Sequence, residues 1–222
     1  MTQLRTIEGE GLILSGADSR DDRIIRLLMA DDELVPAIVR QGRRPGKRSK
    51  VGRIQPLTAV QVTLRARPAD DLAVLETVVV ERPFAVVKAD LLRLAMATCM
   101  AEVVLHLCPD WGREPGVHDL LRRAWERLDR PSSGATGDAV TIDWLILFEL
   151  KALAASGVLP PIEELAEIPR AARESMAGWL EGRWAPLDRD AAAVAQRTLE
   201  ALVTSASGRP FRSTSLLAEA MR

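Results

Sequence analysis

Arg23-Ile-Ile-Arg-Leu-Leu-Met29 and Leu34-Val-Pro-Ala-Ile-Val39, joined by Ala30-Asp31-Asp32-Glu33, decide what kind of fold this chain can form. Both runs have strand length, and the short acidic stretch between them has turn chemistry, so together they predict a β-hairpin. The same rhythm extends outward. Residues 4–15 read as a first strand, with Leu12-Ile13-Leu14 after Gly9 and Gly11, and Ala17 to Asp22 reads as a turn. Downstream, Ile54 to Leu64 alternates, Pro68-Ala69-Asp70-Asp71 turns, and Leu72 to Val80 is a further run rich in valine. Short strands at regular spacing predict a small barrel or sandwich, and a barrel of about five strands with long loops is an OB-fold.

The pattern changes near Pro83. Asp90 to Leu107 is apolar on nearly all sides, which predicts a buried central helix. Val117, Leu120, Leu121, Ala124 and Leu128 recur at helical spacing. Further helices are predicted from Thr141 to Ser156 with Gly157 closing it, from Pro169 to Leu180, from Asp188 as N-cap to Val203, and from Ser215 onward. The expected architecture is α+β: an N-terminal OB-fold β-barrel over residues 1–82, then an all-α helical bundle over residues 83–222.

Between the hairpin and the next strand lies Arg40-Gln-Gly-Arg-Arg-Pro-Gly-Lys-Arg-Ser-Lys-Val-Gly-Arg53. It carries Arg40, Arg43, Arg44, Lys47, Arg48, Lys50 and Arg53 and not one acid. Gly42, Pro45, Gly46 and Gly52 oppose regular structure, so the sequence predicts an exposed basic loop suited to phosphates. The formal net charge of the whole chain is -1, so the patch is visible only locally. A charge run of this kind is more often a solvated surface than a nucleic-acid site, and its setting between strands is what raises its claim.

Other chemistries find little purchase. Cys99, His106, Cys108 and His118 are the metal-ligand candidates. Cys99 and His106 would stand roughly 10 Å apart on one helix, too far to share a zinc with bonds of about 2 Å. Two buried thiols are the simpler reading. There is no Gly-x-Ser-x-Gly motif, and Gly42 to Ser49 has the ingredients of a phosphate loop at the wrong spacing. No catalytic residue, metal or cofactor is implied. Two cysteines suit a reducing compartment, no signal peptide is visible, and Ile142 to Leu153 is too short and too charged to span a bilayer, so a cytoplasmic protein is expected.

Trp111, Trp125, Trp144, Trp179 and Trp184 all fall in the helical half, and residues 1–80 contain no Trp, Tyr or Phe. Binders of the stacking type need aromatics on the barrel face. Nucleic-acid binding here would therefore be chiefly ionic, salt-dependent and weakly selective for sequence.

The order of these features resembles the RecO family of bacterial recombination mediators. The resemblance lies in Gly11-Leu-Ile-Leu-Ser15, Asp22-Arg-Ile-Ile-Arg-Leu-Leu28, and Val39-Arg-Gln-Gly-Arg-Arg44 leading through Lys47-Arg48-Ser49 to Ile54-Gln-Pro-Leu57. It continues in Ala89-Asp-Leu-Leu92, Ala101-Glu102, Leu147-Phe-Glu-Leu150, Gly157-Val-Leu-Pro160 and Gly208-Arg-Pro-Phe-Arg-Ser213. The resemblance implies an OB-fold followed by a helical domain, and binding of single- and double-stranded DNA. It also implies annealing of complementary strands, work with RecR in loading RecA onto DNA coated by single-strand-binding protein (SSB), and contact with the SSB C-terminal tail. Many members carry a four-cysteine zinc module, but Val158 to Leu187 has no cysteine and Ile162-Glu-Glu-Leu165 stands where its first cysteines would fall, so no zinc site is carried over.

The reading is a non-enzymatic DNA-repair mediator in the cytoplasm, associated with the nucleoid, with the basic stretch as its DNA contact. The alternatives are an adaptor that binds the SSB tail, for which Arg122, Arg123 and Arg127 are the candidate partner residues, and an RNA-binding OB-fold protein.

Overall fold

The computed structural model describes residues 4–19, 22–40, 54–67, 70–131 and 140–222. They form two compact units. The first comprises Met1–Ala85 with Cys108–Arg122, the second Val86–Leu107 with Arg123–Arg222. The sequence expectation drew one boundary, about residues 82–89. The units divide the chain at Ala85/Val86, at Leu107/Cys108 and within a helix at Arg122/Arg123.

The first unit is built on β1 (Arg5–Ser19), β2 (Asp22–Met29), β3 (Leu34–Arg40), β4 (Thr58–Ala66) and β5 (Ala73–Arg82). The predicted hairpin is present as β2 and β3, antiparallel from Leu28↔Leu34 to Asp22↔Arg40. The strand order is β1-β2-β3-β5-β4, and β4 pairs back onto β1, so the sheet closes on itself. Only one pairing is parallel, β3 with β5, and it spans just Ala37↔Ala73 and Ile38↔Val74.

Alternation explains which faces turn inward. Ile7 and Ile13, then Ile25, Leu27 and Met29, then Val35, Ala37 and Val39, then Val60, Val62 and Leu64 belong to one buried core. Gly9 and Gly11 occupy inward positions of β1. A Cβ on Gly11 would stand 3.1 Å from the Met29 sulfur, and Gly9 has φ 149°, so these two positions let the long first strand bend around the core. Bulges between Ile13 and Ser15 in β1, and opposite Thr63/Leu64 in β5, restore the inward phase after each kink.

Two expectations need correction. Residues 17–22 were expected to turn, yet β1 continues to Ser19 and pairs it with Asp22. The strand expected from Ile54 begins only at Thr58. Pro56 has no N–H to give a ladder, and Leu57 lies at φ 55°, which no strand residue adopts. Ile54 still serves the barrel, since its side chain is buried in the same core.

The segment from Cys108 to Arg122 joins this unit through backbone bonds. Leu34 donates to the Gly112 carbonyl at 2.9 Å and Trp111 donates to the Leu34 carbonyl at 2.7 Å. Trp111 packs against the barrel core and donates its indole N–H to the Asp71 carbonyl at 3.2 Å. Phe84 is fully buried. The strand-rich unit thus holds aromatics that the first eighty residues lack, and Trp111 belongs to it rather than to the helical half.

The second unit is helical: most of α1 (Ala85–Ala89), α2 (Leu91–Leu107), the end of α3 (Val117–Leu128), α4 (Asp143–Ala155), α5 (Arg170–Leu180), α6 (Arg189–Ser207) and α7 (Thr214–Ala220). A 3-10 turn, Ile162–Glu164, precedes α5. Helix α2 is central and packs on α4, α6 and α7, as its all-round apolarity predicts. Asp188 caps α6 by accepting the Ala191 N–H at 2.9 Å. Gly157 and Gly208, at φ 67° and 66°, follow the last turns of α4 and α6. Helix α6 runs on to Ser207, one turn past the expected end. Arg93, buried on α2, donates to the carbonyls of Leu128 and Arg130 and so satisfies the end of α3.

Candidate nucleic-acid interface

Inward alternation on β4 leaves Gln61, Thr63 and Arg65 outward, and Arg67 follows just past the strand. On β3 the same parity turns Ile38 and Arg40 outward. Because β3 and β5 pair over two residues only, they part beyond Ile38 and Val74. At this place lies an open groove of about 690 Å³. Leu4, Ile38, Arg40, Arg65, Arg67 and Val74 are among the residues that line it. Leu4 is 44% exposed, so an apolar residue as well as cations meets solvent there.

The groove's own charge is mixed. Asp70, Asp71 and Glu76 also line it. Arg65 pairs with Glu76 at 2.8 Å, and the Asp70 carboxylate accepts the Arg67 backbone N–H at 3.2 Å. Three guanidinium groups therefore face three carboxylates. In the sequence, the stretch that follows Arg40 carries six further cations and no acid. Of the predicted DNA contacts, Arg40 is exposed at the end of β3. Arg43, Arg44, Lys47, Arg48, Lys50 and Arg53 lie outside the described residues.

Arg65 and Arg67 were missed in the sequence. Their signal was available: an Arg-Ala-Arg step at the end of an alternating strand puts two cations on the solvent side of the last turn.

The predicted partner residues sit on α3. Arg122 is 3.6 Å from Asp119. Arg123 is exposed, and Arg127 lies over the Trp144 ring of α4, 4.8 Å from its centroid. Arg123 and Arg127 are one helical turn apart on one face.

The four metal-ligand candidates have separate surroundings. Burial pushes the thiols of Cys99 and Cys108 up to about 12, which makes both poor nucleophiles. His106 Nδ1 stands 2.9 Å from the Ser207 hydroxyl, and its ring packs on Phe211. Among the described residues no three His, Cys, Asp or Glu side chains come together to hold a metal ion. Among them, too, no helix is long and apolar enough to cross a membrane.

No protein-family model matches the chain. Similar proteins do exist. The chain is 32% identical over 157 residues to the DNA repair protein RecO of Anaeromyxobacter sp. strain K, a match covering 70% of this chain and 59% of that one. It is 23% identical over 173 residues to the protein of the same name from Syntrophobacter fumaroxidans, covering 78% and 65%. The protein so named in Syntrophotalea carbinolica is 28% identical over 139 residues, covering 63% and 51%. The chain thus matches less than two thirds of the length of each.

Proposed function

The chain belongs to the RecO family, and on that premise we propose that it is a non-catalytic DNA repair protein that holds nucleic acid by its phosphates. In this reading the ring of strands is an OB-fold. Its β3 surface and β4–β5 connection form the binding face, as they do in that fold generally. The observation that carries the proposal is the grouping of Arg40, Arg65 and Arg67 around one open groove at the point where the basic stretch leaves β3.

The mechanism follows from charge. Cations on two backbones release counterions and lower the repulsion between strands. No aromatic is among the described residues that line the groove, so in this reading bases stay free to pair. Annealing of complementary strands is the activity this arrangement suits. By family likeness the protein works with RecR in loading RecA on SSB-coated DNA, in the cytoplasm and on the nucleoid. Single- and double-stranded DNA binding measured across salt concentrations, for the parent and for an Arg40→Ala/Arg65→Ala/Arg67→Ala variant, tests the site. Equal affinity of the two proteins at every salt concentration would reject it.

A second reading is favoured by Arg127 over Trp144. A guanidinium on an aromatic face beside Arg123 suits an acidic, apolar peptide end, and the SSB tail is of that kind. Retention of SSB-tail peptide binding by a variant lacking the basic charges, and its loss in Arg127→Ala, would establish this adaptor role.

A further inference from the structure

Trp184 lies between α5 and α6, and its ring stacks on Trp179 with centroids 4.7 Å and planes 15° apart. Trp179 is buried and donates its indole N–H to the Ala185 carbonyl at 2.8 Å. Trp184 keeps 49% of its surface in solvent. Since Trp179 covers one face, the exposed half is the opposite face and edge. Leu180, next to Trp179 in the last turn of α5, is 40% exposed. Ile162, Leu165, Ile168 and Met176, in and before α5, are all buried. The stack thus holds one aromatic face toward solvent.

The charges around it say what that face suits. Glu163, Glu164 and Glu167 are exposed in the segment leading to α5. Three cations of the region are engaged: Arg170 with Glu174 at 2.9 Å, Arg183 with Glu181, and Arg173 with the Glu163 carbonyl. Arg173 and Leu180 are seven residues apart on one face of α5, so the Glu163 end and the tryptophan end lie roughly 10 Å apart along the helix. That span suits about three residues of extended peptide. Carboxylates repel a polyanion such as DNA and attract cations. An open indole face holds guanidinium or ammonium groups by cation–π attraction.

We propose that the Trp179–Trp184 stack and the Glu163, Glu164 and Glu167 carboxylates form a docking surface for an extended Lys/Arg-bearing segment of a partner protein. One cation sits on the open face of Trp184 and others lie against the carboxylates. The surface uses none of the residues assigned to DNA, so its fate is separate from that of the DNA-binding reading.

The test is fluorescence anisotropy of a labelled oligo-arginine peptide with the full chain, with oligothymidine as the comparison probe. The parent binds the peptide at micromolar concentration. Trp184→Ala weakens binding about tenfold or more, Trp184→Phe weakens it less, and Glu163→Gln/Glu164→Gln/Glu167→Gln weakens it and flattens its salt dependence. All three variants alter exposed groups, and unchanged melting curves verify that they fold. Absence of peptide binding by the parent overturns the proposal. So does a Trp184→Ala variant that binds the peptide as tightly as the parent, or one that loses oligothymidine binding instead. A parent that sediments as a dimer and becomes monomeric on Trp184→Ala would make a second copy the occupant, and overturns it too.

Discussion

Asp32 Oδ1 accepts the backbone N–H of His118 at 2.9 Å, so the turn of the β2–β3 hairpin caps a helix 86 positions further along the chain. Its other oxygen accepts the Gly116 N–H at 2.8 Å. Asp32 sits at φ 66°, a conformation that Asp and Asn tolerate better than most residues. One short acidic turn therefore ends a hairpin and starts α3. Asp32→Ala should cost about 1–2 kcal/mol in denaturant unfolding, and Asp32→Asn clearly less, because Asn keeps both an acceptor and the backbone preference.

Glu33, the next residue, is buried and receives Arg5 through two bonds, 3.1 and 2.6 Å, and Arg113 at 3.0 Å. Burial alone would raise its pKa. The hydrogen bonds and charges of Arg5 and Arg113 together outweigh burial and hold the carboxyl below its ordinary 4.5. A carboxylate lowered in the folded state adds stability that is complete above about pH 4.5 and fades as pH falls below it. Glu33→Gln should lose about 1–3 kcal/mol at neutral pH, toward the lower end because both arginines are half exposed to screening solvent. The difference from the parent should shrink in acid. A constant difference from pH 7 to pH 3 would contradict this.

Glu149 on α4 behaves in the opposite sense. It is fully buried, and neither carboxylate oxygen meets a hydrogen-bond partner among the described residues. Burial, then repulsion from Glu200, raises its pKa well above the ordinary 4.5. The folded state keeps a proton that the unfolded chain releases, so this group's contribution to stability is full below about pH 4.5 and declines as pH rises above it, by at most about 1.4 kcal/mol per pH unit. Glu149→Gln should match the parent in mild acid and melt at a higher temperature near neutrality.

Trp179 carries the turn after α5. Replacing it with Ala removes a buried ring and the anchor for Ala185, and should cost about 3–5 kcal/mol. Trp179→Phe keeps the ring contact and loses the Nε1 bond, for about 1 kcal/mol. Thermal melting of the two variants separates packing from hydrogen bonding.

Most strands and helices were legible because their signals are local. Apolar runs of strand length marked β2 and β3, alternation marked β4, a valine-rich run marked β5, helical spacing marked α3, and Asp188 and Gly157 marked helix ends. What escaped was non-local. Asp31, Asp32 and Glu33 read as a polar turn because Arg113, Gly116 and His118 lie more than eighty residues away in sequence or nearly so. Trp111 read as a helical-half residue for the same reason, since only the pairing of Leu34 with Trp111 and Gly112 reveals its unit. At the site, Arg40 was visible as part of a charge run. Arg65 and Arg67 carried a local signal in the Arg-Ala-Arg step, but their grouping with Arg40 depends on the parting of β3 from β5, which no local pattern encodes.

The basic stretch itself makes a quantitative prediction. Each phosphate contact contributes about 0.7 to 0.9 to the slope of log affinity against log salt. Arg43→Ala/Arg44→Ala should therefore bind DNA more weakly and flatten that slope by roughly two units at most. Loss of affinity with an unchanged slope would point to a folding defect instead of lost phosphate contacts.

The central claim is that this chain holds DNA backbones and leaves bases free to pair. It is tested most directly by the rate of annealing of complementary strands coated with single-strand-binding protein, for the parent and for a variant with Arg40, Arg43, Arg44, Lys47, Arg48, Lys50 and Arg53 all changed to Gln. The account predicts annealing by the parent, falling steeply with salt, and near-background rates for the variant. Annealing by the neutralised variant at the parent's rate would contradict it.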